Sequence, residues 1–231
     1  MSAKEEIKDS CCNTEGLTKS TGKQDKGVVH DTIVLTIITL VAGLVLGGVH
    51  HITAAPIAAQ EKATMEAAQR AVFADADSFD EVPLDDAAME KALADNGLTR
   101  TTVNAVYAAK DSSGTDLGYV VDSTNSEGYG GDVEVMVGIT TGDSGYTVNG
   151  ISFLSLSETA GMGMKAKNPE FMDQFTDMAL GDSRQIAYTK NGKSAANEID
   201  AISGATVTTN AVTKAVNGAL AAVSTVEEGA S

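Results

Sequence analysis

Apolar and polar residues follow different spacings in successive parts of this chain. Residues 32–49 form a run of 18 residues without a charged side chain, in which Ile, Leu and Val dominate. This length and polarity predict one transmembrane helix over residues 32–53. Residues 58–76 are rich in Ala, Gln, Glu, Lys and Met. Because these residue types favour helix, we expect the helix to continue beyond the membrane.

The middle of the chain shows the alternation that is typical of strands. Four segments rich in Val, Ile and Tyr are separated by short turns that contain glycine. The predicted strands are 103–109, 117–122, 133–139 and 146–156. Strands that follow one another with short links pair in the antiparallel sense, so the sequence predicts an antiparallel sheet.

Helical spacing is found on both sides of this block. Residues 87–96 predict a short helix ended by Gly97, residues 168–181 predict a second helix, and residues 206–223 predict an amphipathic closing helix. Residues 184–188 fit a short strand or a loop. Strands in one block and helices largely in others predict an α+β domain, with a mostly antiparallel sheet and flanking helices.

These patterns divide the chain into four parts. Residues 1–31 are polar and predict a flexible tail, and residues 32–53 are the membrane helix. Residues 54–97 form a helical and acidic connecting region, and residues 98–227 form the main domain. The acidic stretch at 75–86 fits a solvated loop better than a Ca²⁺ site, because it lacks the ligand spacing of an EF-hand.

Charge and residue types exclude several functions for the main domain. The net charge is −16, and nearly all of it lies after residue 52, which argues against binding to nucleic acid. The three histidines and two cysteines all lie before residue 52. A Ser–His–Asp triad, a histidine-bound metal and a thiol nucleophile are therefore excluded in the main domain. We predict no catalytic residue and no metal site, and any chemistry there points to a cofactor.

Lysine positions predict how the chain lies in a membrane. Lys19, Lys23 and Lys26 precede the apolar run closely, whereas only Lys62 follows it at a similar distance. The positive-inside rule then predicts a single-pass protein of the cell membrane, with a cytoplasmic N-terminus and the main domain on the extracytoplasmic side. A cleaved signal peptide is the alternative, and the long leader and Pro56 argue against it.

Three short segments suggest chemistry. They are the glycine-rich turn 128–131, the segment 158–163 with the sequence ETAGMG, and the segment 200–206 with the sequence DAISGAT. The last one leads into the closing helix, so free amide N–H groups and the helix dipole favour an anion beside Thr206. Ser and Thr are also preferred at helix starts as plain caps, which is the alternative interpretation of Thr206.

Together these segments resemble the FMN-binding domain of bacterial membrane electron-transport complexes, in particular the G subunit of the Rnf ion-translocating complex. The related C subunit of the Na⁺-translocating NADH:quinone oxidoreductase is the alternative. The resemblance implies that a flavin transferase esterifies the phosphate of FMN onto Thr206. It also implies a set of FMN-binding residues: Asp200, Ser203, Gly204, Ala205, Glu158, Thr159, Gly161, Met162, Gly163, Tyr129 and Gly130.

Two positions depart from the expected pattern of the family. Ala160 replaces the usual proline, which frees the backbone there, and Met162 replaces the usual leucine with a side chain of similar volume. Met162, Met164 and Phe153 are candidates for the wall of the flavin site, with plain core positions as the alternative.

The resemblance implies a membrane-anchored flavoprotein that relays electrons in a ferredoxin:NAD⁺ oxidoreductase coupled to Na⁺ or H⁺ translocation. Its partners would be the other membrane and redox subunits of that complex, and the flavin transferase during maturation. A cofactor-free, membrane-anchored binding module is an alternative of another class. A self-sufficient flavin reductase would need a nicotinamide site, and the sequence contains no motif for one.

Overall fold

The computed structural model describes residues 24–142, 145–181 and 183–230. The predicted flexible tail lies outside the described residues up to residue 23, and so do both cysteines. The prediction of a flexible tail is wrong for residues 24–31, which are helical. The chain divides into two compact units at residue 58, and the second unit extends from Ala59 to the C-terminal end. The predicted connecting region from residue 59 onward packs within that second unit.

The first element is one long helix, α1, which extends over Gln24–Val72 and contains Pro56. Its apolar side chains between residues 28 and 57 are exposed, and an 18-residue window has a mean hydropathy of 2.4 with none of it buried. The predicted apolar helix and its continuation are confirmed, and the helix is long and apolar enough to cross a membrane. It ends at Val72 rather than at residue 76, because the chain then turns to join the sheet, where Asp77 N–H donates to the Lys110 carbonyl at 2.8 Å.

Six strands form one antiparallel sheet in sequence order. The four predicted strands are confirmed and each is somewhat longer than predicted. The strands are β1 (Ser78–Val82), β2 (Thr101–Lys110), β3 (Asp116–Asn125), β4 (Val133–Gly142), β5 (Gly145–Leu156) and β6 (Met178–Gly181). Strands β1 and β6 are the edges of the sheet.

The prediction of a loop over all of residues 75–86 is wrong, because β1 lies within it. Phe79 and Val82 are half-buried, while the two acidic side chains between them are exposed. Asp80 also forms an ion pair with Lys110 on β2 at 2.9 Å. Charged residues are common on edge strands, where they prevent pairing with other chains, so a dense acidic stretch can still be a strand.

The prediction of one helix over residues 168–181 is also wrong. This segment contains a four-residue helix, α3 (Pro169–Met172), a 3₁₀ turn at Asp173–Phe175, and the edge strand β6. Phe171 and Phe175 are both buried, and their rings meet edge to face with centroids 5.5 Å apart. The short helix and the 3₁₀ turn thus bury both phenylalanines, as one continuous helix would. Asp177 then takes a positive φ of 51°, and the chain turns into β6.

The remaining elements complete an α+β fold, as predicted. Helix α2 (Asp86–Asp95) is capped by the Asp85 carboxylate, and Gly97 follows it with a φ of 71°. Strand β7 (Ala187–Thr189) confirms the prediction of a short strand or a loop around residues 184–188. It pairs in parallel with β8 (Glu198–Asp200), which was not predicted. Helix α4 (Thr206–Ala230) begins where predicted and ends seven residues later than predicted.

The sheet is covered on both faces within the second unit. Residues of α4 such as Val212, Val216 and Leu220 are fully buried in the main core, together with Val121 and Val135 of the sheet. On the other face, Val72 and Phe73 at the end of α1 join Val120 and Met136 in a smaller apolar cluster. The core thus holds the start of α4 against one end of the sheet, and the candidate site lies there.

Candidate functional site

A cavity of about 470 Å³ lies at the start of α4, and all three sequence segments border it. This volume is within the range of small-molecule sites, roughly 300 to 1,000 Å³. The lining residues are Tyr129, Glu158, Thr159, Met162, Gly163, Gly204, Ala205, Thr206, Val207 and Thr208. All of them except Val207 and Thr208 were predicted as site residues, so the structure brings most of the predicted set together.

The turn at 128–131 forms one side of the cavity, between β3 and β4. A Cβ atom at Gly130 would overlap the Ser157 carbonyl oxygen, and one at Gly128 would overlap the Gly131 carbonyl oxygen. Only glycine fits at these two positions without moving the backbone. Gly130 does not line the cavity itself. Its lack of a side chain allows the turn to pack closely on the segment that follows β5.

The segment 158–163 forms the second side and continues into a 3₁₀ turn over Gly163–Lys167. The Thr159 carbonyl accepts from the N–H groups of Met162 and Met164, both at 3.2 Å, and Gly161 takes a φ of 76°. Gly161 thus makes the bend, while Thr159, Met162 and Gly163 line the cavity. These hydrogen bonds close the turn although position 160 is alanine and not the usual proline with its fixed φ.

The third side is the start of α4. Gly204 takes a φ of 80°, and Ala205 N–H donates to the Ile202 carbonyl at 3.0 Å. The Thr209 hydroxyl accepts from Ile202 N–H at 3.1 Å and donates to the Ala205 carbonyl at 3.0 Å. These bonds hold the turn against the helix, so the helix starts at Thr206 with its positive dipole end at the cavity.

The three threonines of this first turn differ in access. Thr208 is 1% exposed and Thr209 is 0% exposed, whereas Thr206 is half-buried, although both Thr206 and Thr208 border the cavity. The Thr209 hydroxyl is also engaged by the backbone on both sides. Thr206 is therefore the threonine whose hydroxyl a group in solution can reach.

Exposed apolar side chains are concentrated at this cavity. Outside α1, the described residues contain three exposed large apolar side chains: Tyr129 at 76%, Met162 at 50% and Val207 at 49% exposure. All three line the cavity. A planar aromatic group that entered the cavity would cover apolar surface that water otherwise contacts, which favours its binding.

The structure separates two of the predicted site residues from the cavity. Asp200 and Ser203 line a neighbouring cavity of about 340 Å³ together with Lys165 and Gln174. The backbone of Asp200 is held there by the Gln174 amide, which accepts from Asp200 N–H at 2.7 Å and donates to its carbonyl at 3.3 Å. The two cavities therefore lie on either side of the turn at Gly204.

Other candidates are part of the core rather than of the cavity lining. Met164 and Phe153 pack against the main core, which favours the core interpretation for both. Val207 and Thr208 line the cavity but were not predicted, although their place in the first helical turn after Thr206 could have indicated them. The described residues contain no group of three or more His, Cys, Asp or Glu side chains that could bind a metal.

Comparison with known proteins identifies a family domain that contains the three segments. The family model for the FMN-binding domain matches residues 128–221, which include all three segments. The G subunit of the Na⁺-translocating ferredoxin:NAD⁺ oxidoreductase complex of Acetobacterium woodii is 33% identical over 188 residues, which cover 80% of this chain and 86% of that protein. The G subunit of the proton-translocating complex of Clostridium ljungdahlii is 32% identical, covering 88% of this chain and 95% of that protein.

A second group of relatives matches a shorter part of the chain. The C subunit of the Na⁺-translocating NADH-quinone reductase of Vibrio anguillarum is 32% identical over 120 residues, which cover 50% of this chain and 46% of that protein. The two G subunits match over most of their length, and this C subunit over about half. The resemblance predicted from the three segments is confirmed: the chain belongs to the family of G subunits of Rnf-type ion-translocating oxidoreductase complexes, membrane-bound electron-transfer subunits with an FMN-binding domain.

Proposed function

We propose that this chain carries FMN in a phosphoester linkage to Thr206 and relays electrons through it within a membrane complex. The observation that carries this proposal is the composition of one cavity. It combines a reachable hydroxyl at a helix start with three exposed apolar side chains, Tyr129, Met162 and Val207. A hydroxyl beside a helix dipole suits a phosphate, and exposed apolar surface suits an aromatic ring system.

The start of α4 supports attachment at Thr206. A phosphodiester keeps one negative charge, and the dipole of a long helix stabilises such a charge in its first turn. The first N–H groups of a helix have no partner within the helix, so they are available to phosphate oxygens. Ser203 and Asp200 lie beyond the Gly204 turn, where they line the neighbouring cavity. In this proposal they belong to the surface that the flavin transferase contacts.

The cofactor supplies the redox chemistry, and the protein supplies its attachment, its position and its surroundings. The side chains of the cavity bind and orient the FMN, and we assign none of them a role as nucleophile or general base in turnover. We propose that the complex is of the ferredoxin:NAD⁺ oxidoreductase type, coupled to Na⁺ or H⁺ movement. The two similar G subunits are named for different ions, so sequence identity to them does not indicate which ion this complex would transport.

The proposed location supports a covalent linkage. Lysines before the apolar run favour a cytoplasmic N-terminus, so we propose that the domain lies outside the cytoplasm. A reversibly bound cofactor is lost where its free concentration is low, because occupancy follows mass action. A phosphoester removes that dependence.

Attachment is tested by expressing the full chain together with a flavin transferase and measuring its intact mass and its flavin fluorescence in a denaturing gel. We expect one added FMN in the wild type and in Thr208→Val, and none in Thr206→Ala. Thr206→Ser should recover part of the signal, because serine retains a hydroxyl at the same position. A wild-type mass equal to that of the bare polypeptide would contradict the proposal.

A further inference from the structure

The Glu158 carboxylate lies between the two glycine-rich sides of the cavity. Its Oε1 accepts from Tyr129 N–H at 2.9 Å, across 29 residues of sequence. A Cβ atom built at Gly163 would lie 2.7 Å from Oε2. The carboxylate therefore contacts the turn at 128–131 with one oxygen and the start of the 3₁₀ turn with the other.

The glycines around Glu158 make room for it. A Cβ atom at Gly128 would lie 3.1 Å from Oε1, and one at Gly163 would also lie 2.8 Å from the Glu158 Cβ. Both backbones approach the acidic side chain as closely as they do because neither glycine has a side chain. The two glycine-rich segments thus pack around one shared carboxylate.

The charge of Glu158 has no cationic partner among the described residues. None of the six ion pairs within that part of the chain includes Glu158, and one of them joins Lys214 to Glu127, which directly precedes the turn at 128–131. Glu158 is half-buried and borders the cavity. A half-buried carboxylate that accepts from a backbone N–H, without a cation beside it, contributes negative potential to the adjoining space.

We infer that Glu158 is a positioning residue that joins the 128–131 turn to the 158–163 segment and adds a negative charge to the wall of the cavity. Its link to Tyr129 holds the most exposed wall residue in place, and this part does not depend on a cofactor. Its effect on the potential rests on the proposed function. A negative charge beside a group that gains electrons opposes the gain, so Glu158 lowers the reduction potential of a flavin bound there.

The first test measures amide hydrogen exchange of the full chain without flavin, in detergent. Exchange at Tyr129 N–H should be about tenfold faster in Glu158→Ala, because a hydrogen bond to a charged acceptor is lost. Glu158→Gln keeps a carbonyl acceptor, so its rate should stay within about threefold of the wild type. Glu90→Gln removes an equal charge from the exposed face of α2 and should leave the Tyr129 rate unchanged.

The second test measures the midpoint potential of the flavin-loaded protein by redox titration. We expect Glu158→Gln to have a more positive potential than the wild type, and Glu90→Gln to match the wild type. Glu158→Gln is the informative variant here because it removes the charge and retains the acceptor. Should Glu158→Ala fail to fold, the pair of glutamine variants still tests the inference.

The outcomes separate this inference from the proposed function. Faster exchange at Tyr129 in Glu158→Ala supports the link even if the wild type carries no flavin, in which case the proposed attachment fails alone. Unchanged exchange in Glu158→Ala, together with an unchanged potential in Glu158→Gln, overturns the inference even if Thr206 carries FMN.

Discussion

Asp122 is a buried carboxylate on β3, with 3% of the residue exposed. It lies on the sheet face opposite α4, and the Asn104 amide donates to its Oδ1 at 3.1 Å. Burial raises the pKa of Asp122 to about 6, and the nearby charge of Glu134 contributes to the rise, while the bond from Asn104 opposes it. In the unfolded chain the same group has a pKa of 3.8.

This shift predicts how Asp122→Asn changes the free energy of unfolding with pH. A raised pKa in the folded state gives a contribution to stability that is complete below pH 3.8 and is lost as the pH rises through about 6. We expect Asp122→Asn to be more stable than the wild type at pH 7.5 by about 3 kcal/mol, because each pKa unit of the shift corresponds to about 1.4 kcal/mol. The difference should shrink as the pH falls from 6 to 3.8.

Urea unfolding of the full chain at several pH values measures this difference. The control is Asp75→Asn, which removes an exposed carboxylate in the loop after α1 and should change stability little at any pH. If Asp122→Asn changed the free energy of unfolding equally at pH 7.5 and pH 4, the pKa of Asp122 would not be raised in the folded state.

At the residue scale, the place of the 200–206 segment beside a cavity could be predicted from the sequence, but the directions of its side chains could not. Thr206 borders the cavity as expected, whereas Asp200 and Ser203, only three to six residues earlier, line another one. Gly204 has a φ of 80°, which reverses the chain between them. Spacing along a sequence does not show such a reversal, because glycine permits it without requiring it.

At the scale of elements, the junction between α1 and the sheet depends on one glycine. Gly138 on β4 faces the last turn of α1, where a Cβ atom would lie 2.5 Å from the Val72 carbonyl oxygen and 3.0 Å from the Val72 Cβ. Val72 is 4% exposed in the apolar cluster of that face. The helix end can therefore rest directly on the sheet backbone.

Gly138→Ala should push the end of α1 away from the sheet and lower the free energy of unfolding by about 1 to 3 kcal/mol. The matched control is Gly150→Ala, because Gly150 is the cross-strand neighbour of Gly138 and its Cβ would have no neighbour within 4 Å. Thermal unfolding and limited proteolysis after Val72 measure the effect. Equal stability of the two variants would contradict this account of the junction.

Elements with a strong local pattern were the ones that could be predicted. The central strands and α4 have long runs of alternating or helical spacing, and the sequence identified all of them. Strand β1 and the segment 168–181 could not be predicted, because their conformation depends on distant partners. Asp77 N–H donates to the Lys110 carbonyl, and β6 pairs with β5, where Tyr146 lies opposite Gly181. Such contacts override local propensity.

At the scale of the whole molecule, the proposed orientation can be tested with the natural cysteines. Cys11 and Cys12 are the two cysteines of the chain, and both precede the proposed membrane helix. A membrane-impermeant maleimide should label them after lysis and not in intact cells. In a Cys11→Ser, Cys12→Ser background, Ala196→Cys at an exposed position should be labelled in intact cells.

Labelling of Cys11 and Cys12 in intact cells, with Ala196→Cys protected, would reverse the orientation. Loss of all labelling in the mature wild-type protein would instead show that the N-terminal segment is removed. The same preparation also reports on anchoring, since α1 should keep the domain in the membrane fraction after a high-salt wash. Salt screens surface charge but does not weaken apolar insertion.

The start of α4 restricts how electrons can reach the proposed cofactor. The helix that begins at Thr206 is buried along much of its length, from Ala211 to Val223, against the sheet. Its first turn is fixed by Thr209 and Gly204, so the point of attachment cannot swing as a flexible prosthetic arm does. A flavin on Thr206 would have only its own ribityl phosphate as a tether. The electron donor and the electron acceptor must therefore approach this cavity one after the other. Otherwise the entire domain must move between them on its membrane helix.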